Sequence, residues 1–403
     1  MIPRVLLVTT VNWPSAARLA SAFAGAGARV EALFPAGHVC AQSRFLSGAH
    51  LYSPYFPVAA LGDAIAKAQP DLIVPCDDRA LGLLRTAYAR DIAAAPIARS
   101  LGDMGSYATL VSRDAFIAEA RELGLAAPRS APVESEAELE LELSWLGFPA
   151  VLKADGSWGG EGVAIVRDLE SALAAYRKFA TAPSRIRSLG RAVLRQDAHF
   201  LRHAFRPPQP AISVQGFVSG KPATSTFACW RGQVLASIHM DVLESQGATG
   251  PASVMRRTDC PQMEEAAVRI AHRFGLSGLH GLDFVRDAAG QPHLIEINPR
   301  ATQASAFAFG PGHDVAAALA ACIAPSAIRP RPAATANPTI ALFPQEWRRD
   351  PNSPWFASAH PDVPWDDPAV LLACLAPGEQ APERRSAESA GAAPLTLRQA
   401  VGR

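Results

Sequence analysis

Three short runs near the start of the chain, Arg4–Thr9, Arg29–Phe34 and Asp71–Pro75, are largely apolar instead of alternating apolar with polar. Strands that read this way are buried on both faces, and parallel strands covered by crossover helices are the usual arrangement that buries them. Helical patterns fill the gaps: Ser15–Ala24, stopped by Gly25-Ala26-Gly27, then Leu61–Ala68 and Asp78–Tyr88. The alternation predicts a small doubly wound α/β domain over residues 1–105. The glycine turn follows its helix and does not join a strand to a helix, so it is no dinucleotide fingerprint, and a nicotinamide enzyme loses its main support.

Beyond residue 105 the order of elements changes. A helix is expected over Arg113–Leu123, and Ser135-x-x-Glu138 has the form of a capping box opening another. Phe148–Lys153 reads as a strand, followed by a glycine-rich loop holding Gly156, Gly159, Gly160 and Gly162, then a strand over Val163–Arg167. A glycine loop between two strands is not a Walker P-loop, which opens a helix and ends in Gly-Lys-Ser/Thr. Further strands are expected at 211–218, 224–230 and 233–240, then a loop Gln246–Ser253, a helix Met263–Phe274 and a hairpin at 280–285 and 293–297 turned by Asp287-Ala-Ala-Gly290. The predicted organisation is a second domain over 106–325, with a small lobe at about 145–215 and a larger lobe at 216–325. A C-terminal extension, 326–377, packs on the core, and 378–403 is a low-complexity, disordered tail.

Charge and composition exclude some classes. Lys plus Arg number 38 against 37 Asp plus Glu, a formal charge of +1, so no bulk attraction to nucleic acid or an anionic membrane exists. The six cysteines form no C-x-x-C pair, which points to a reducing, cytoplasmic compartment without disulfides or a zinc cluster. The apolar run Val5–Val8 is too short for a secretory signal or a membrane span. Only four of the basic residues are lysines, Lys67, Lys153, Lys178 and Lys221, so a lysine ahead of a glycine loop is more informative here than in most chains. His199 and His203 have helical ligand spacing, but no third ligand is near, and two surface histidines are expected. They lie in an Arg-rich insert, 183–210, with six Arg and one Asp, which is read as a solvated segment.

The residues that carry chemistry are Gly281-Leu-Asp283-Phe-Val and Leu294-Ile-Glu296-Ile-Asn298-Pro-Arg300. Side chains alternate along a strand, so Glu296 and Asn298 share one face, and a short turn brings Asp283 near Glu296. Two facing carboxylates repel unless a cation sits between them. With the amide oxygen they form a hard donor set suited to a Mg²⁺ that also holds phosphate oxygens, and Arg300 adds a fork for phosphate or carboxylate. The plainer alternative is a solvated hairpin face. Lys153 and the glycine loop tilt the balance toward a nucleotide site, since a point charge and backbone N–H groups can close over phosphates. Arg256 and Arg257, following the 246–253 loop, are candidates to clamp a substrate carboxylate. Asp77 and Asp78 follow a strand end and are read as helix caps.

Taken in order, Arg113, Phe148-Pro-Ala-Val-Leu-Lys153, the 156–162 loop, Val214-Gln-Gly-Phe-Val-Ser-Gly220, Asp283 and Glu296-Ile-Asn-Pro-Arg300 resemble the ATP-grasp superfamily of carboxylate-activating ligases. The resemblance implies an N-terminal α/β domain like the one that usually precedes the grasp, followed by a two-lobed ATP-grasp fold. It implies ATP contacts at Arg113, Lys153, Ser157, Gly159, Gly160, Gly162, Gln215, Phe217 and Val218. Mg²⁺, or Mn²⁺ in its place, falls to Asp283, Glu296 and Asn298, catalysis to Arg300 and Lys153, and substrate binding to Arg256, Arg257 and Arg300. The implied reaction converts a carboxylate to an acyl phosphate and passes the acyl group to an amine, with ADP and phosphate as products. A thiol or carrier-protein acceptor, or a nucleotide-binding module without turnover, are the alternatives. The implied partners are small-molecule carboxylate and amine substrates, with no nucleic acid or membrane, and a homodimer is left open. This chain departs from the family pattern in having Arg113 where a lysine is common, and Gln215, Gly216 and Pro222 where the hinge is commonly acidic.

Overall fold

A computed structural model of the chain describes residues 2–154, 162–181, 211–247 and 250–376. Three sheets organise these residues. The first is wholly parallel, in the order β3-β2-β1-β4, from β1 (Arg4–Val8), β2 (Arg29–Phe34), β3 (Gly48–Leu51) and β4 (Leu72–Pro75). Its alternate residues serve two cores. Val5, Leu7, Val30 and Val74 meet α1 (Ser15–Ala26), while Leu6, Val8, Leu33 and Ile73 meet α2 (Pro57–Ala68) and α3 (Asp78–Ala89). Both faces are covered, which is why these strands read as continuous apolar runs. Gly27, at φ 104°, ends α1 as the sequence suggested, because a left-handed residue there costs glycine nothing.

The second sheet is antiparallel, in the order β5-β8-β6-β7, from β5 (Ser130–Pro132), β6 (Ala150–Ala154), β7 (Val163–Val166) and β8 (Ile212–Gly216). Leu152, Val214 and Val166 face α7 (Glu136–Leu146) and α8 (Leu169–Ala180), sealing one side. Ser135 Oγ does accept the Glu138 N–H at 3.2 Å, but the Glu138 carboxylate reaches back to the Glu134 N–H at 2.8 Å, so the expected reciprocal box is only half made.

The third sheet has seven strands, in the order β13-β12-β9-β10-β11-β14-β15. It contains β9 (Lys221–Trp230), β10 (Gln233–Ser245), β11 (Ala252–Arg257), β12 (Gly278–Arg286), β13 (Pro292–Asn298), β14 (Thr339–Ala341) and β15 (His360–Pro361). Ala228, Ile238, Met240 and Met255 on one face pack with α1 and with α9 (Val315–Ile323), joining this sheet to the first. Ala223, Phe227, Leu282 and Phe284 on the other face pack with α6 (Arg113–Glu122) and the helix Pro261–Arg273. The strands β3, β11 and β15 were not expected. They are short or carry polar residues, and their pairing comes from tertiary contacts that local pattern does not report. No helix among the described residues is long and apolar enough to cross a membrane.

The junction between the first and third sheets passes through Gly102, which bridges Leu276 in the turn before β12. Its φ is +89°, and a Cβ there would lie 2.7 Å from the Ser277 nitrogen, with Gly275 O closer still. Gly82, inside α3, has nothing within 4 Å of where a Cβ would stand. Gly102→Ala is therefore expected to cost about 2 kcal/mol or more, and Gly82→Ala to add about 0.5–1 kcal/mol, both read by urea unfolding.

Candidate functional site

The site grows from the β12–β13 hairpin. Asp283 stands directly opposite Glu296, and Gly281 opposite Asn298. The next pairing is Phe284 with Leu294, so Ile295 is an extra residue in β13 and the ladder bulges there. The Ile295 carbonyl is turned out of the ladder and accepts from Lys153 Nζ at 3.0 Å and from Gln215 Nε2 at 3.4 Å. Lys153 lies on β6 and Gln215 on β8, and both are buried on the face of the second sheet away from its helices. One bulged carbonyl thus draws the second sheet onto the third.

The carboxylates are held by specific partners. Asn298 Nδ2 donates to Asp283 Oδ2 at 2.8 Å, and Thr224 on the neighbouring strand also bonds the Asp283 carboxyl. Burial, and then the adjacent Glu296 charge, push the Asp283 carboxyl above the ordinary range, against the pull of Thr224, Asn298 and Arg300. Arg113, the first residue of α6, spans Glu296 and β6. Its Nε and Nη2 donate to Glu296 Oε1 at 3.3 and 3.2 Å, and its Nη1 donates to the Ala154 carbonyl at 2.9 Å. Arg300 Nη2 donates to Asn298 Oδ1 at 3.1 Å, and Arg300 Nε donates to Asp78 Oδ1 at 2.8 Å. Burial alone would lower the Arg300 pKa, yet Asp78, Asp77 and Asp283 together raise it, so this guanidinium stays a cation.

Among the described residues no group of three or more His, Cys, Asp or Glu converges as a metal cluster. The donor set at the hairpin is two carboxylates and one amide oxygen, with Arg113 on Glu296 and Arg300 on Asn298. Such a set suits a hard divalent ion that keeps several positions for water and phosphate oxygens. Beside it, the open face of the second sheet presents Val151 and Ile165 as a register pair next to Lys153, with the Ile165 side chain 44% exposed. This apolar strip was not singled out from the sequence, where a strand two residues either side of a charged one gives no sign of facing a cleft. Ser213, paired with Lys153 across β6–β8, is buried with no hydrogen-bond partner for its hydroxyl among the described residues.

The structure brings Arg113, Lys153, Gln215, Asp283, Glu296, Asn298 and Arg300 to one place. Gly162 lies at the base of the glycine loop, its carbonyl accepting from the Ala154 N–H at 2.8 Å. Ser157, Gly159, Gly160 and Trp158 lie outside the described residues, as do the Arg-rich insert, His199 and His203. Phe217 and Val218 follow β8 in the segment leading to β9, with Phe217 exposed. Arg256 and Arg257 are not brought together. They are consecutive on β11, a strand where a loop was expected next to them, so their side chains leave opposite faces of the sheet. Arg256 is exposed, and Arg257 lies over the Phe309 ring, 5.7 Å from its centroid, on a strand three positions from β12. A two-arginine clamp cannot form from that geometry. Asp77 is a cap as expected, accepting from the Ala80 N–H at 2.8 Å, whereas Asp78 turns to Arg300.

Comparison with known proteins agrees with this geometry. A family model described as an ATP-grasp domain matches residues 193–304. The carbamoyl phosphate synthase large chain of Gemmatimonas aurantiaca is 28% identical over 202 residues, which is 48% of this chain and 16% of that protein, so the chain spans a small part of that relative. Among solved structures, the biotin carboxylase domain dimer of the Hydrogenobacter thermophilus 2-oxoglutarate carboxylase, in complex with MgADP, ADP and bicarbonate, superposes with a TM-score of 0.57 at 15% identity, over 80% of this chain and 70% of that one. The N5-carboxyaminoimidazole synthase of Aspergillus clavatus, in complex with ADP and 5-aminoimidazole ribonucleotide, gives 0.57 at 13% identity, over 79% and 77%. The corresponding ribonucleotide synthetase of Thermus thermophilus gives 0.55 at 16%, over 78% and 77%. Motif order, a family match that spans all three metal-binding candidates and the shared architecture converge on one conclusion: residues 193–304 match the ATP-grasp domain family and the chain has the ATP-grasp fold.

Proposed function

We propose that the chain is an ATP-dependent ligase that converts a substrate carboxylate to an acyl phosphate and transfers the acyl group to an amine. The observation that carries this proposal is the convergence at the β13 bulge: a buried lysine from the second sheet meets a strand whose next residues are Glu296, Asn298 and Arg300. Support also comes from the solved structures of the same fold, which are described in complex with MgADP, ADP or bicarbonate.

In this scheme the nucleotide lies between the second and third sheets, its base against Val151, Ile165 and the 215–218 segment. Lys153 contacts the α- and β-phosphates. Asp283, Glu296 and Asn298 would hold Mg²⁺, which would neutralise charge on the phosphate oxygens. Arg113 can exchange the Glu296 carboxylate for a phosphate oxygen, as a fork that already spans both sides of the cleft. A carboxylate oxygen attacks the γ-phosphorus, the bond to the β-phosphate oxygen breaks, and ADP leaves with the electron pair. Arg300 stabilises the charge spread over the transferring phosphoryl group. The amine then attacks the acyl carbon, phosphate departs, and the nitrogen loses a proton to give the amide.

The test is hydroxamate formation and ADP release with Mg²⁺ATP, hydroxylamine and pooled amino acids and small carboxylic acids. A carboxylate-dependent signal is expected, reduced at least about a hundredfold in folded Glu296→Gln and Lys153→Ala. Wild-type rates in either variant would remove that residue from the mechanism. ATP binding without turnover across all acceptors would point instead to a binding module.

The raised Asp283 carboxyl gives an independent check. Its ionised form is disfavoured in the fold, so Asp283→Asn is expected to stabilise the ligand-free protein by about 1 kcal/mol near neutral pH. Because the folded value lies above the unfolded one, the cost builds up once the unfolded carboxyl ionises, above about 4, and is complete only above the folded value, so the advantage of the variant should shrink as pH falls toward about 4. The same variant should lose the Mg²⁺-dependent part of any stabilisation by ATP. Melting curves across pH, with and without Mg²⁺ATP, read both effects.

A further inference from the structure

We infer that Asp78, at the start of α3 in the first sheet's domain, is a positioning residue that aims the Arg300 guanidinium at the transferring phosphoryl group. The inference rests on the proposed phosphoryl-transfer function and extends it to a residue outside the grasp motifs. Arg300 has five N–H donors in a rigid fork. Three are engaged: Nε with Asp78 Oδ1 at 2.8 Å, Nη2 with Asn298 Oδ1 at 3.1 Å, and Nη1 with the Ala301 carbonyl at 3.2 Å. One N–H on each Nη has no partner among the described residues, which is the edge a fork offers to two oxygens of an anion.

The direction of that edge depends on Asp78 because the other two partners are neighbours of Arg300 in sequence and lie on its own side of the site. Asp78 belongs to α3, the helix after β4 in another domain, and its segment is held on both sides. Asp77, its predecessor, caps α3 and accepts from the Thr10 N–H at 2.6 Å, Thr10 Oγ1 at 2.8 Å and Thr9 Oγ1 at 3.0 Å, fastening the helix start to the end of β1. Arg79, its successor, donates to the Thr10 carbonyl at 2.6 Å. The main chain beside Arg300 is tied to the same place, with the Ala301 N–H donating to the Pro75 carbonyl at 3.0 Å at the end of β4. Backbone and side chain of the arginine segment are thus both referred to the carboxyl ends of the first sheet.

The Asp78 side chain is 60% exposed against 22% for Arg300, so the pair adds little to folding and its effect is directional. An acidic residue at a helix start also favours the helix, and a purely local role of that kind would leave phosphoryl recognition unchanged. The two roles separate in calorimetry with MgADP alone and with MgADP plus aluminium fluoride, a mimic of the transferring phosphoryl group. Wild type, Asp78→Ala and Asp78→Asn are expected to bind MgADP within about twofold of one another and to melt together. The tightening caused by aluminium fluoride should fall at least about tenfold in Asp78→Ala and be partly restored in Asp78→Asn, whose side-chain oxygen can still accept from Nε. Full tightening in Asp78→Ala overturns the positioning role alone. Absence of MgADP binding, or of any tightening, in the wild type overturns the proposed function and this role with it.

Discussion

Two carboxylates facing each other across one antiparallel hairpin are the constraint around which the molecule is arranged. Asp283 and Glu296 share a rung of the β12–β13 ladder. Like charges on one rung are unfavourable, and every polar neighbour of the pair answers that cost. Asn298 and Thr224 donate to one carboxyl, Arg113 to the other, and Arg300 lies beyond Asn298 as a further cation. The pair is thus supplied with donors and cations on every side, while burial first and the Glu296 charge second hold the Asp283 carboxyl above the ordinary range.

The architecture explains how such a pair can be kept. The seven-stranded sheet is packed on one face by α1 and α9 and on the other by α6 and the helix Pro261–Arg273, so its central strands are buried on both faces. The polar residues sit at the β12–β13 end, where the second sheet meets it through the Ile295 carbonyl. A bulge is an economical way to make that junction, since it frees one backbone acceptor while leaving the ladder intact on both sides. The first sheet completes the enclosure from a third direction through Asp78 and Pro75.

Much of this was legible in the sequence. The continuous apolar runs of β1, β2 and β4 and the alternation at Glu296, Ile297 and Asn298 follow directly from which faces are buried. The rare lysine at 153 is where the two sheets meet. What was not legible depends on partners far along the chain. The Ile295 bulge is a register slip with no residue signature. Strand β11 sits behind a glycine-rich loop and takes its identity from pairing with β10 and β14, and without it Arg256 and Arg257, just after that loop, read as a pair able to clamp one carboxylate rather than residues on opposite faces. Asp78 was read as half of a cap because its true partner, Arg300, is 222 positions away.

The C-terminal extension carries a different kind of consequence. Asp362, one residue past β15, pairs with Arg18 on α1, 344 positions earlier, and Asp367 accepts from Ser43 Oγ at 2.7 Å. During synthesis at roughly 5–20 residues per second, Asp362 follows Arg18 by roughly 17–70 s, since 344 positions separate them. Until Asp362 is clear of the ribosome, Arg18 lacks this carboxylate. Residues 362–367 therefore close onto α1 and the segment after β2 late, which ties completion of the N-terminal domain to a stretch more than 300 positions downstream.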